Sequence, residues 1–302
     1  MDDVTDLVFR DVINKLARPS VFVTEFTNID GLLSVGKDKV MRKLKYSKQQ
    51  RPVVAQIWGS NPEHFEKAAS IVEELGFDGI DINMGCPDKK VMKNNAGAAL
   101  VNNKELVQKI ILAARKGAPS IPLSIKTRLD RNSEKTTDWL KFLLTQDIQL
   151  LTLHARDAKS MSKIPANWEQ IGNLVELRNK INKNILIIGN GDVTSYEEVL
   201  QKTNQYGVDG VMIGRGVFHN PWVFEQKLKE HSVHERLEIL LEHTSHFTKT
   251  WGKTRNFETM KKFFKIYVKN FPGADELRQN LMQTKNYEDV ETIVKNFLKI
   301  LK

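Results

Sequence analysis

Gly79-Ile80-Asp81-Ile82-Asn83-Met84-Gly85-Cys86-Pro87 is the stretch on which the fold and the candidate site both turn. Residues 79–82 read as a short apolar strand of the kind buried on both faces, which belongs in a parallel sheet covered by helices. The strand runs straight into an Asn, a Gly, the single cysteine of the chain and a Pro. Positions just past the C-terminal end of such a strand are where α/β folds gather ligands. Asn83 can donate and accept hydrogen bonds at once. Gly85 lets backbone approach a flat ligand closely, and Pro87 stiffens the loop that carries Cys86. A lone free cysteine reads by itself as a small buried hydrophobe, so the weight rests on its neighbours.

Working outward, similar apolar runs occur at 21–26, 53–57, 123–126, 150–153, 185–188 and 210–213. Helix-like stretches separate most of them, at 62–75, 103–116, 134–145, 168–180 and 195–203. The first is the clearest: Asn61 suits its cap, Pro62 its first turn and Gly76 its end. The segment 30–48 is polar and carries no clear period, and residues 4–10 read as the start of a helix near Thr5 or Asp6. Repeated strand–helix units imply a parallel sheet with right-handed crossovers. Seven strands are one short of a (β/α)8 TIM barrel. The alternation alone leaves two folds open: a doubly wound sheet, or a barrel whose first strand lies outside this sequence.

The 302 residues suit one barrel or two ordinary domains. An apolar fraction of 40% fits a soluble protein, and no run approaches a membrane span. The start lacks the basic-then-apolar layout of a secretory signal. One cysteine excludes an internal disulfide and points to a reducing cytoplasm. The formal charge of +9 suits a polyanionic partner. The seven His show no ligand spacing, and one Cys cannot build a zinc site, so no metal is expected.

The strand ends are more telling. Gly189-Asn190-Gly191-Asp192 and Gly214-Arg215-Gly216 follow the last two strands, where barrels of this type commonly hold phosphate. Free backbone N–H groups and a guanidinium suit an anion there. Gln56, Lys126 with Arg128, and His154 stand at three more strand ends, where apolar side chains would pack more easily. A Lys, a His, a Gln and an Asn converging opposite a phosphate site fit a flat, hydrogen-bonding, phosphorylated cofactor, the shape of flavin mononucleotide (FMN).

At this point the chain resembles the tRNA-dihydrouridine synthase family of bacterial type. The likeness rests on Met1-Asp2-Asp3-Val4-Thr5-Asp6, Phe9-Arg10, Asp81-Ile82-Asn83-Met84-Gly85-Cys86-Pro87, Gly97-Ala98-Ala99-Leu100, Ile125-Lys126-Thr127-Arg128, Leu153-His154-Ala155-Arg156 and the two glycine turns. The resemblance implies an FMN-binding TIM barrel over residues 1–230 and a small helical tRNA-binding domain over 231–302. It implies hydride transfer from reduced flavin to C6 of uracil, with Cys86 giving a proton to C5. A thiol of ordinary pKa, about 8.5, stays mostly protonated at neutral pH, as a donor must. Met1, Gln56, Lys126, His154, Asn190, Gly191, Asp192, Gly214 and Arg215 would hold the cofactor. Asn83, Arg128, Lys89, Lys90, Lys261 and Lys265 would meet the substrate. NADPH or NADH would be the reductant, the partner would be tRNA, and the chain is expected to act as a monomer.

The region after Glu230 suits that role, with helical stretches at 234–250, 256–270, 274–282 and 287–301 and no strand-like run. Between Lys249 and Lys269 stand seven Lys or Arg against one Glu. Lys261, Lys265 and Lys269 share a helix face, with Met260, Phe263, Phe264, Tyr267 and Phe271 on the other side. Two departures from the family pattern stand out. Met1 falls where the family's first strand ends, so an upstream start, or a fragment, is expected. The loop Ser160-Met161-Ser162-Lys163-Ile164-Pro165-Ala166-Asn167-Trp168 lacks a glycine and an Ala-Asp-Trp common in relatives. Two rival readings remain: an FMN barrel reducing a free small molecule, which would not need the basic tail, and a catalytically impaired RNA-binding relative.

Overall fold

The computed structural model describes residues 1–227 and 229–301. Eight parallel strands form one sheet: β1 (Phe22–Val23), β2 (Thr27–Asn28), β3 (Val53–Trp58), β4 (Gly79–Met84), β5 (Leu123–Leu129), β6 (Leu150–Asp157), β7 (Leu186–Asn190) and β8 (Gly210–Met212). β1 and β2 lie along the same edge of β3, with Phe22 opposite Val53 and Thr27 opposite Ile57. They act as one interrupted strand, so the sheet has the seven positions expected from the sequence, in the order β1-β3-β4-β5-β6-β7-β8. Among the described residues no ladder joins β8 to β1. The sheet curls as a TIM-barrel-like half-barrel with helices on its outside, which decides against the doubly wound alternative.

Period-two alternation sorts the two faces. Register sets Gln56 beside Asp81, Asp81 beside Ser124, Asn83 beside Lys126, Lys126 beside Thr152, and His154 beside Asn190. These polar side chains therefore line one face, the barrel interior. Ile57, Ile80, Ile82, Ile125, Leu151, Leu153 and Ile187 line the other and are at most 1% exposed. The Nε1 of Trp139, on a covering helix, donates to Thr127 Oγ1 at 3.0 Å, which fixes that face as the outer one.

The covering helices start where the sequence says they should. Asn61 Oδ1 accepts from the N–H of Glu63 at 2.9 Å and caps Pro62–Glu74. Asn103, Asn132 and Ser195 cap Lys104–Gly117, Ser133–Leu144 and Tyr196–Tyr206 in the same way. Trp168–Ile181 completes the set. The ambiguous stretch 30–48 resolves into the short helices Ile29–Leu32 and Lys37–Met41 followed by 3-10 turns.

The chain divides into two compact units, Met1–Leu7 with Ser20–Gly214, and Val8–Pro19 with Arg215–Lys302. The division falls after Gly214 instead of after Glu230, and it assigns most of the first helix, Leu7–Leu16, to the helical unit. The physical reason is the apolar face Val8, Phe9, Val12, Ile13. Phe9 packs on Phe263, His243 and Phe218 with centroids 5.0, 5.6 and 6.3 Å away. The other helices of this unit are Gly216–His219, Val233–Trp251, Glu258–Tyr267, Ala274–Met282 and Tyr287–Ile300. His243 is buried among these rings, with its Nδ1 2.9 Å from Tyr267 Oη. Burial pushes this imidazole down to about 3, so it stays neutral.

Candidate active site

The cysteine loop is built from β4. All six residues of that strand are buried, and the chain then turns at Gly85. Asn83 Oδ1 accepts from the Gly85 N–H at 3.1 Å and the Cys86 N–H at 2.9 Å. Asn83 Nδ2 donates to Gln56 Oε1 at 2.9 Å, and Gln56 Nε2 donates to Asp81 Oδ2 at 2.7 Å. Ser124 Oγ lies 2.6 Å from Asp81 Oδ1. Arg128 Nε donates to the Gly85 carbonyl. On the other side the Cys86 carbonyl accepts from Ala98 N–H at 2.9 Å. Gly97, with φ 60°, passes so close that a Cβ would sit 2.7 Å from that carbonyl oxygen. Asn83, Arg128 and the turn Gly97–Leu100 thus hold Cys86 from three directions.

The thiol is partly buried, and that burial pushes it up, helped by the Asp88 and Asp2 carboxylates; Arg128 and the Asp88 backbone N–H pull the other way. A protonated sulfur at neutral pH follows. Beside it on the barrel interior stands Lys126. Desolvation chiefly, then Arg128, pull its ammonium down to about 8 against the opposing fields of Asp81 and Cys86. No hydrogen bond to this ammonium is found among the described residues. Asp81 itself is pushed up by burial, against the hydrogen bonds of Ser124 and Gln56.

His154, near the end of β6, is oriented by a residue that sequence reasoning did not single out. Arg156 Nη1 lies 3.4 Å from His154 Nε2, and its Nε donates to the Ile164 carbonyl at 2.6 Å. The guanidinium is 3% exposed and pairs with Asp192. A cation at that nitrogen favours the tautomer with the proton on Nδ1. Asp192 Oδ2 also accepts from Ala166 N–H at 2.9 Å. Asp192 therefore ties the β6 loop to the β7 turn, a structural task that its sequence position did not reveal. Trp168 Nε1 donates to the Gly191 carbonyl at 3.0 Å. Gly191 has φ 141°, and a Cβ there would stand 2.6 Å from Ala166 Cβ. Asn190 Nδ2 donates to the Met212 carbonyl at 2.7 Å, joining β7 to β8.

Met1 Sδ lies against Gly214, 4.0 Å from where a Cβ would be, and, the chain neighbours of Gly214 aside, is the only heavy atom of the described residues within that distance. Gly214 thus presents open backbone. Arg215 follows as the exposed first residue beyond this unit. Glu25, after β1, is 3% exposed and its Oε1 has no hydrogen-bond partner among the described residues. Burial first, then Asp6, push its carboxyl up. Its oxygen comes within 4.8 Å of carboxylate oxygens of Asp2 and Asp3, and Asp2 pairs with Lys43.

The basic residues fare unequally. Lys89 and Lys90 are exposed on the short helix Lys89–Lys93, directly after the cysteine loop. Lys265 is exposed on Glu258–Tyr267. Lys261 is not: its side chain is 10% exposed and bonds to Glu258 at 2.7 Å. Lys269 lies beyond the helix end and donates to the Phe218 carbonyl at 3.2 Å and to that of His219. The basic face expected over the three lysines is therefore open only at Lys265.

The interior face presents hydrogen-bonding groups of the kind that suit a flat heterocycle with acceptor edges. It offers an ammonium without a hydrogen bond, a histidine, an amide pair, and Thr152 Oγ1, which is wholly buried and lacks a partner among the described residues. Thr152 and Ser124 went unmarked, and Asp81 was quoted without a role, because each is an ordinary strand residue until register sets Thr152 beside Lys126 and Asp81 between Gln56 and Ser124.

The family model described as Dihydrouridine synthase (Dus) matches residues 1–302. The chain is 42% identical over 300 residues to a "probable tRNA-dihydrouridine synthase" of Staphylococcus epidermidis, covering 98% of this chain and 91% of that one. It is 41% identical over 300 residues to a "probable tRNA-dihydrouridine synthase 2" of Bacillus subtilis, covering 98% and 92%. Among solved structures, histamine dehydrogenase from Rhizobium sp. 4-9 superposes with a TM-score of 0.57 at 12% identity, over 81% of this chain and 47% of that one. The last likeness is one of fold alone.

Proposed function

Because this chain belongs to the dihydrouridine synthase family, we propose that it reduces uridines of tRNA to 5,6-dihydrouridine, with FMN in the barrel mouth and NADPH or NADH as the source of electrons. The observation that carries this reading is a Cys86 loop held by Asn83, Arg128 and Ala98, beside a Lys126 ammonium that has no hydrogen bond within the described chain. When bound and reduced, FMN supplies hydride for C6 of the uracil ring. The rest is the work of side chains. Cys86 Sγ–H gives its proton to C5: the S–H bond breaks, a C5–H bond forms, and the thiolate regains a proton from solvent. Lys126 would hold the cofactor and supply positive charge to stabilise its reduced, anionic form. Asn83 and Gln56 line the same wall, though both amides are already partly committed to each other.

His154, with Arg156 Nη1 3.4 Å from its Nε2, would contact the cofactor from the end of β6. Gly191, Gly214 and Arg215 would receive the cofactor phosphate; Asn190 and Asp192 shape that end, and Met1 closes it beside Gly214. A target uridine must leave its stack at a cost of a few kcal/mol. Contacts from Lys89, Lys90 and the helical region to RNA phosphates would offset that cost, with Lys265 better placed than Lys261. Arg128, expected to meet the substrate, is buried and bonded to the Gly85 carbonyl, so it would act through the cysteine loop.

The test begins with an absorbance spectrum of the desalted protein, where flavin bands near one FMN per chain are expected. Reduction of unmodified tRNA is then compared for wild type and Cys86→Ala. The variant should keep its flavin and lose most of its dihydrouridine formation. Equal turnover by the variant would remove Cys86 from the reaction, and flavin with no tRNA reduction would favour a small-molecule substrate.

A further inference from the structure

Asp81 has no part in the reaction proposed above, yet it closes a continuous hydrogen-bond chain that ends on Cys86. The polarity of that chain can be worked out from one end. Backbone N–H groups can only donate, so the Asn83 atom facing Gly85 and Cys86 must be its oxygen. Asn83 then has only its NH2 to offer Gln56, at 2.9 Å. Gln56 must answer with its oxygen, which turns its own NH2 toward Asp81 at 2.7 Å. Asp81 Oδ2 must therefore accept. Neither amide can be flipped without setting like groups against each other. It also shows what is lost without Asp81. Gln56 Nε2 would be a buried donor with nothing to meet, and rotating that amide would set two donors against each other at Asn83.

We propose that Asp81 is a positioning residue for Cys86, locking the Gln56 and Asn83 amides in the one orientation that holds the Cys86 N–H. In turnover this matters only if Cys86 is the proton donor, so the consequence for catalysis rests on that reading; the lock itself does not. Asparagine can replace the acceptor: its oxygen can take the Gln56 hydrogen while its NH2 meets Ser124 Oγ, which keeps the Ile80 carbonyl as an alternative acceptor at 3.2 Å. Alanine cannot. Comparing Asp81→Asn with Asp81→Ala therefore separates the hydrogen bond from the charge, because both variants remove the charge near Lys126.

Cys86 is the single cysteine, so alkylation by iodoacetamide reports on it without background. The experiment measures alkylation rate against pH for the full-length wild type, Asp81→Asn, Asp81→Ala and Gln56→Met, with circular dichroism to confirm folding. Asp81→Asn should keep the wild-type profile. Asp81→Ala and Gln56→Met should release the loop, expose the thiol and alkylate about tenfold faster at neutral pH, the factor one buried hydrogen bond commonly carries. Their profile should move toward lower pH, since burial is what raises this thiol. Folded Asp81→Ala and Gln56→Met with the wild-type profile would overturn the proposal. Gln56→Met is nearly isosteric and decides the matter if Asp81→Ala does not fold. Hydrogen exchange in the wild type adds a check free of substitutions: unprotected Gly85 and Cys86 amides would rule the lock out. A Cys86→Ala enzyme with full activity would instead end the proton-donor reading and leave the alkylation result standing.

Discussion

Lys126 shows most plainly what single residues are set against. An ammonium drawn into the barrel, with no hydrogen bond among the described residues, costs the ligand-free protein stability. Lys126→Met should therefore raise the melting temperature of the flavin-free protein by a few degrees while abolishing flavin retention, which calorimetry and the absorbance spectrum would show together. The pH dependence has a definite sign. The ammonium is present below about 8 and is lost above it. Between about 8 and the ordinary lysine value of 10.5 the unfolded chain holds a proton that the folded chain lacks, so the stability of the flavin-free protein should rise with pH across that window. Cys86 moves the opposite way, staying protonated beyond the ordinary thiol value of about 8.5. A loss of tRNA reduction setting in near pH 8 should thus track Lys126, and flavin retention measured over the same range should fall with it. Sequence made Cys86, Lys126, Gln56 and His154 visible because polar side chains at buried strand ends are unusual. It could not show Asp81 or Arg156, whose importance comes from which neighbour register and loop closure bring to them.

At the scale of elements, one aspartate device recurs on the N-terminal side of the sheet. Asp78, just before β4, accepts from the Val53 N–H of β3 at 2.7 Å and pairs with Arg51. Asp209, just before β8, accepts from the Ile187 N–H of β7 at 2.7 Å and pairs with Arg178. Each ties one strand to the start of the next, and Asp209→Ala should cost about 1–3 kcal/mol in denaturant unfolding by leaving Arg178 half-paired. Helix packing adds a second test. Helices Pro62–Glu74 and Lys104–Gly117 approach so closely that a Cβ on Gly117 would fall 2.0 Å from the Glu66 carbonyl oxygen. Alanine would gain at most about 1 kcal/mol in helix propensity, against roughly 1–3 kcal/mol of overpacking on rigid backbone. Gly117→Ala should therefore destabilise, and a higher denaturation midpoint would contradict the close approach. The strands were legible from their short apolar runs, and these helices from a capping residue and a clean apolar period. Segment 30–48 was not, since Gly31 and Gly36 cut it into pieces too short to show a period.

At the scale of the molecule, the helical unit was legible in its four long helices but not in its extent. Nothing in the local pattern of residues 8–16 says that their partners come after residue 215; only the ring contacts of Phe9 do. Phe9→Ala should cost about 3–5 kcal/mol, the usual toll for emptying a buried aromatic site, and its loss should surface in the unfolding of residues 215–301 more than in the barrel, as hydrogen exchange would resolve. The same arrangement has a consequence during synthesis. The ribosome releases residues 8–19 early and the residues that cover them only after Arg215. At ordinary elongation speeds of about 5–20 residues per second, that greasy helix waits for roughly ten to forty seconds before its partners even begin to emerge. Nascent chains stalled before Arg215 should be clipped by protease within 8–19 while the strands between stay intact, and released full-length chains should resist at the same bonds.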